Sequence, residues 1–80
     1  MKAKVLGIGG TYSGEYQGVK YEKFKLYVDK GVTPRNGEGT ELDVLSIDSR
    51  FKSASLHVGV NVNIEYNRYG RVDSIEVLNK

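Results

Sequence analysis

The chain has 80 residues, which leaves room for one domain, 1–80, and no more. Cys is absent and His57 is the one His, so disulfides, iron–sulfur clusters and thiolate zinc sites are excluded, a His-based metal site has nothing to build on, and no cofactor is expected. A net charge of +2 is too small to point to a polyanion by itself, so the placement of the charges must carry any such reading.

Small domains bury a modest share of their surface and usually lean on a disulfide, a metal or a second subunit. With the first two excluded, a homodimer is expected. The opening Met1-Lys2-Ala3-Lys4-Val5-Leu6-Gly7 holds an apolar run too short for a secretory leader, and no stretch approaches the roughly 20 apolar residues of a membrane span. Together with the lack of Cys this fits a soluble, cytoplasmic protein.

In chain order, about Lys2 to Ile8 reads as a strand. Gly9 to Gly18 reads as a Gly-rich loop carrying Tyr12 and Tyr16. Val19 to Asp29 is the longest strand. Gly31 to Gly39 is a loop, with Asn36-Gly37 as a turn pair. Glu41 to Asp48 is a third strand, where adjacent Val44 and Leu45 predict a bulge or burial on both faces. Ser49 to Leu56 is a helical turn, N-capped by Asp48 or Ser49, with Phe51 and Leu56 packing inward. Val58, Val60, Val62, Ile64 and Tyr66 alternate with Gly59, Asn61, Asn63 and Glu65, a fourth strand by period. Asn67-Arg68-Tyr69-Gly70 is a hairpin connection in which Gly70 takes positive φ, and Arg71 to Leu78 is the fifth strand. The expectation is an all-β protein with a helical link between the third and fourth strands. That order matches the OB-fold, a five-stranded, partly open Greek-key barrel, with an SH3-like barrel as the structural competitor.

The long strand carries the functional signal. Alternate strand residues point to opposite faces, so Phe24, Leu26 and Val28 belong to the core, while Tyr21, Lys23, Lys25 and Tyr27 share the other face. Single-stranded nucleic acid needs those two residue types. Bases stack on aromatic rings for about 1–3 kcal/mol each, and cations follow the phosphates. Tyr is also a good strand former and Lys a common residue of solvated sheet faces, so the same face could be ordinary surface. Tyr12, Tyr16 and Tyr69 tip the balance, because they fall in expected loops where no core needs them. Arg35, Arg50, Lys52 and Arg68 lie in or beside loops and read one by one as solvated charges. Arg68-Tyr69 at a hairpin tip is the exception, since exposed aromatics beside Arg favour contact surfaces.

Nothing points to catalysis. Gly7-Ile8-Gly9-Gly10 has no helix after it, no phosphate loop is present, His57 precedes a strand with no group to orient it, and the carboxylates show no paired spacing.

The order Gly18-Val19-Lys20-Tyr21, Leu26-Tyr27-Val28-Asp29, Gly59-Val60-Asn61-Val62 and Tyr69-Gly70 resembles the gene V proteins of filamentous phages, single-stranded DNA-binding OB-folds. The resemblance spans most of the chain through short motifs. It implies a homodimer that coats DNA, base stacking by Tyr21 and Tyr27, and a Tyr69-Gly70 tip that reaches DNA on the partner subunit. The proline of the family's Gly-Lys-Pro-Tyr element is missing, and the strand between the tyrosines is two residues shorter. The preceding loop has lost its arginines. Glu41, Asp43, Ser74 and Glu76 stand where the family has basic residues. These departures imply either weaker DNA affinity or a DNA path shifted toward Lys23 and Lys25.

The expected function is therefore sequence-tolerant binding of single-stranded DNA in replication or transfer of a phage or plasmid. Tyr16, Tyr21, Tyr27 and Tyr69 would stack, and Lys20, Lys23, Lys25 and Arg68 would neutralise phosphates. No membrane or small-molecule partner is expected. The alternatives are an RNA-binding module of cold-shock or S1 type and a protein–protein adaptor that uses the tyrosines as anchors.

Overall fold

A computed structural model describes residues 1–78 of the chain. Its regular structure is nearly all β: β1 (Lys2–Ile8), β2 (Tyr12–Tyr16), β3 (Val19–Asp29), β4 (Leu42–Asp48), a short 3-10 turn (Ser49–Phe51), β5 (Asn61–Tyr66) and β6 (Val72–Val77). They form one antiparallel sheet in the order β2-β3-β1-β5-β6, with β4 also paired to β3. β4 takes residues 23–29 of β3, while β1 takes Leu26–Asp29 and β2 takes Val19–Lys23. Because Lys23 and Leu26–Asp29 each have partners on both sides, β1 and β2 must lie end to end along the same edge of β3. Among the described residues β4 and β6 are not paired to each other, so the sheet is open.

Six strands replace the expected five. The segment read as a Gly-rich loop contains β2, joined to β3 by the two-residue turn Gln17-Gly18. Both residues have positive φ, 51° and 78°, the primed turn whose twist matches that of paired strands. Of the glycines that suggested a loop, Gly18 serves in the turn and Gly14 within β2, while Gly9 and Gly10 lie in the link between β1 and β2.

Element boundaries also move, and an expected bulge is absent. The helical link shrinks to Ser49–Phe51; Asp48 Oδ1 caps it by accepting from the Arg50 N–H at 3.0 Å. β5 begins at Asn61 rather than Val58, because Gly59 at φ 97° closes a turn in which the Val60 N–H reaches the His57 carbonyl. β4 runs in unbroken register with β3, so no bulge lies at Val44-Leu45; Val44 points to solvent and Leu45 packs on the core. The irregularities fall in β1, where Leu6 is the extra residue between Val5 and Gly7, and at Glu65/Tyr66 in the last hairpin.

The core is the inner face read at period two. Ala3 and Val5, then Phe24, Leu26 and Val28, then Ile47, Val62 and Ile64 are buried, and Leu56 joins them from the link after β4. No polar side chain is buried among the described residues. Fully burying a side chain such as Phe24 or Leu26 contributes about 1.5–3 kcal/mol. Residues 12–22, by contrast, include none that is buried. The β2–β3 hairpin is therefore an arm standing off the core. The molecule is accordingly long, 44 × 30 × 23 Å, with a radius of gyration of 13.6 Å against the roughly 12 Å of a compact chain of this length. No helix among the described residues is long and apolar enough to cross a membrane.

Candidate functional site

Residues directly opposite in an antiparallel pair share a face, so the register assembles the outer surface. On β3 the outward residues are Val19, Tyr21, Lys23, Lys25 and Tyr27. Tyr16, Gly14 and Tyr12 of β2 oppose Val19, Tyr21 and Lys23. On the other edge Asp48, Ser46 and Val44 of β4 oppose Lys23, Lys25 and Tyr27. Gly7 of β1 opposes Tyr27, beside the bulged Leu6.

Four tyrosines and two lysines therefore occupy one face. Tyr12, Tyr21 and Tyr27 are 38%, 39% and 41% exposed, the mark of rings resting on the sheet, whereas Tyr16 near the arm's tip is 70% exposed and projects. The Tyr12 hydroxyl lies 3.2 Å from Ser46 Oγ, tying β2 to β4 across β3. Lys23 Nζ sits 5.5 Å from the Tyr21 ring centre, in cation–π range. The ion pair found among the described residues is Lys30–Glu41, at the base of the β3–β4 loop, so Lys23 and Lys25 keep their charge for a partner.

That loop is anchored by charge. Asp29 Oδ1 accepts from the Gly31 N–H at 2.7 Å and from the Thr40 hydroxyl. The Thr40 bond first, then the Gly31 bond and nearby Lys4, hold the carboxyl below its ordinary range. The hydrogen bond to Glu41 likewise holds the Lys30 ammonium above its usual value. Partial burial, followed by Asp43, pushes the Tyr66 hydroxyl upward against the opposing effect of Lys30.

The structure gathers the sequence-derived candidates only in part. Tyr16, Tyr21, Lys23, Lys25 and Tyr27 share the face. Lys20 does not, because it opposes Glu15 on the other side of the arm. Arg68 and Tyr69 occupy the tip of the β5–β6 hairpin. There Asn67 Oδ1 accepts from the Tyr69 and Arg71 N–H groups, Gly70 stands at φ 78°, and Arg68 Nη2 donates to the Tyr69 hydroxyl at 2.9 Å. The arm and that hairpin border one open groove of about 1180 Å³, lined by Tyr16, Lys20, Tyr21, Arg50, Tyr66 and Arg71 among others. The groove places Lys20 and Tyr21 on one wall and Tyr66, Asn67, Gly70 and Arg71 of the hairpin on the other, while Arg68 and Tyr69 lie outside its lining.

Sequence reasoning missed Leu6, Val44 and Arg71, and it counted Tyr12 as a loop tyrosine without placing it in the site. The alternation of Tyr12, Gly14 and Tyr16 was the available signal for Tyr12. Leu6 and Val44, 44% and 51% exposed, flank Tyr27 only because of a bulge and a register that no local pattern announces. Chemically the face offers flat aromatic and aliphatic surface beside unpaired ammonium groups, suited to planar rings joined to anions. Among the described residues no three His, Asp or Glu side chains converge as metal ligands would. No family model, curated protein or solved structure matches the chain.

Proposed function

We propose that this protein binds single-stranded DNA without reading its sequence and catalyses nothing. The carrying observation is one exposed sheet face that collects Tyr12, Tyr16, Tyr21 and Tyr27 around Lys23 and Lys25, with neither lysine ion-paired among the described residues. Stacking on aromatic faces tolerates any base, and phosphates supply the rest of the affinity. Duplex DNA, whose bases are already stacked, offers the tyrosines nothing.

The fold is read as an open form of the five-stranded OB barrel. In this reading β1 and β2 together make the first, broken strand, β3 and β4 the second and third, and β5 and β6 the fourth and fifth. Its support is that β1 and β2 share an edge of β3, that β1 also pairs β5, and that the helical turn follows β4. OB-folds bind oligonucleotides on the face of their second and third strands, here β3 and β4. Homodimerisation, expected from size, belongs to the same proposal, as does a role in replication or transfer of a small replicon.

The test uses the absence of Trp. Tyrosine fluorescence is titrated with a pyrimidine homopolymer at several salt concentrations, with duplex and RNA controls. Quenching by the single strand, little by duplex, and a log–log salt slope of about −0.7 per neutralised phosphate support the reading. No quenching at low salt would discard it in favour of a protein partner.

A further inference from the structure

Both outward tyrosines of β3 sit opposite a glycine: Tyr21 opposes Gly14 and Tyr27 opposes Gly7. A Cβ built on Gly14 would collide with Oη and Cζ of Tyr21 and stand 3.1 Å from Cε2. The Tyr21 phenol thus reaches across from β3 and lies with its tip over the bare backbone of β2. At Gly7 the added carbon would come to 3.3 Å from Tyr27 Cδ2 and 3.6 Å from its Cβ, a milder conflict near the base of the ring. Gly10, in the link between β1 and β2, has nothing within 4 Å of such a carbon. Glycine weakens a strand interior, and its use there marks a close approach by another group.

We infer that Gly14, and more weakly Gly7, are positioning residues that hold Tyr21 and Tyr27 flat on the sheet, so that each ring turns its π face outward. This rests on the proposed stacking function and deepens it. The feature recognised is the face of an unpaired base, not its hydrogen-bonding edge. A side chain at position 14 would force Tyr21 out of the recumbent position, and an upright ring presents an edge. The ammonium groups of Lys23 and Lys25 would stay on the face, Lys23 losing only its contact with the Tyr21 ring, so stacking would be lost while phosphate contact remained.

The experiment compares a thymidylate oligomer with an abasic phosphodiester of equal length, on Gly14→Ala, Gly7→Ala and Gly10→Ala. Loss of one stack predicts that Gly14→Ala weakens thymidylate binding by about 5- to 150-fold. Abasic binding and salt slope should not change. Gly7→Ala should lose less, and Gly10→Ala nothing. In a Tyr21→Ala background Gly14→Ala should cost no further affinity, since coupled residues are not additive. Equal losses for Gly14→Ala and Gly10→Ala, or a full additional loss in the Tyr21→Ala background, would overturn the inference. Should Gly14→Ala unfold the arm, the wild-type protein still decides the matter by NMR. A recumbent Tyr21 ring shifts the Gly14 α-protons upfield, and Tyr21→Ala abolishes the shift; α-protons indifferent to Tyr21→Ala would overturn the inference. Failure of the functional reading looks different: the wild type itself would not distinguish thymidylate from the abasic strand.

Discussion

The outer face of this sheet has two halves made by the same backbone rules and filled with different chemistry. Over β2, β3 and β4 it carries tyrosines, Val44, Lys23 and Lys25, with Leu6 of β1 at its edge. Over β5 and β6 it carries Asn61, Asn63, Glu65, Ser74 and Glu76, with Asn63 Nδ2 donating to Glu65 Oε1 at 2.9 Å. Lys2 and Lys4 of β1 lie at the seam, where Lys4 opposes Asp29 on one side and Asn61 on the other. Folding asks only that outward positions tolerate water, and the amide and carboxylate half meets that demand. The aromatic half exceeds it, since exposing large apolar surface brings no folding benefit. Its composition therefore needs another cause, and a ligand that stacks is the cause proposed above.

The strongest way to break the contrast is Tyr21→Ala with Tyr27→Ala. Two lost stacks at about 1–3 kcal/mol each predict at least about a 30-fold loss of single-strand affinity at unchanged thermal stability, measured by anisotropy and circular dichroism. Unaltered affinity would return the aromatic half to ordinary surface. Next comes Lys23→Ala with Lys25→Ala. The salt slope should shrink by about 0.7 for each phosphate contact removed, with the base-dependent part of binding retained.

Glu65→Gln with Glu76→Gln sharpens the comparison from the other side. Charges beyond about 10 Å are largely screened at 0.1 M salt, so a strand confined to the aromatic half should gain less than about threefold in affinity. A tenfold gain, read in the same titration, would mean that the bound strand crosses the acidic half as well. The smallest effect lies at the seam. Because the Asp29 carboxyl is held below its ordinary value of 3.8, its contribution to the β3–β4 loop is present above that value. It disappears as pH falls through the lower folded-state value. The amide shift of Gly31 should titrate with a midpoint under 3.8, and Thr40→Ala should raise that midpoint.

Much of this was legible before any coordinates. Phe24, Leu26 and Val28 announced the core face by period, so Tyr21, Lys23, Lys25 and Tyr27 had to share the opposite one. Asn67–Gly70 declared its hairpin through turn chemistry. β2 escaped notice because Gly14, Gln17 and Gly18 carry a loop's composition, and because an arm with no buried side chain leaves no hydrophobic alternation to detect. Lys20, expected as a phosphate contact, stands by its own parity opposite Glu15, on the other side of the arm from Tyr21.

By itself the sequence determined what depends on near neighbours: strand periods, turn residues, the apolar set and the side of β3 on which each residue stands. Tertiary structure alone decided what depends on register between distant segments. It brought β2 end to end with β1 along β3, placed Gly14 and Gly7 beneath two tyrosines, and set Leu6 and Val44 on either side of Tyr27. Side-chain alternation is local and has period two, whereas the pairing of one strand with another is a property of the whole sheet.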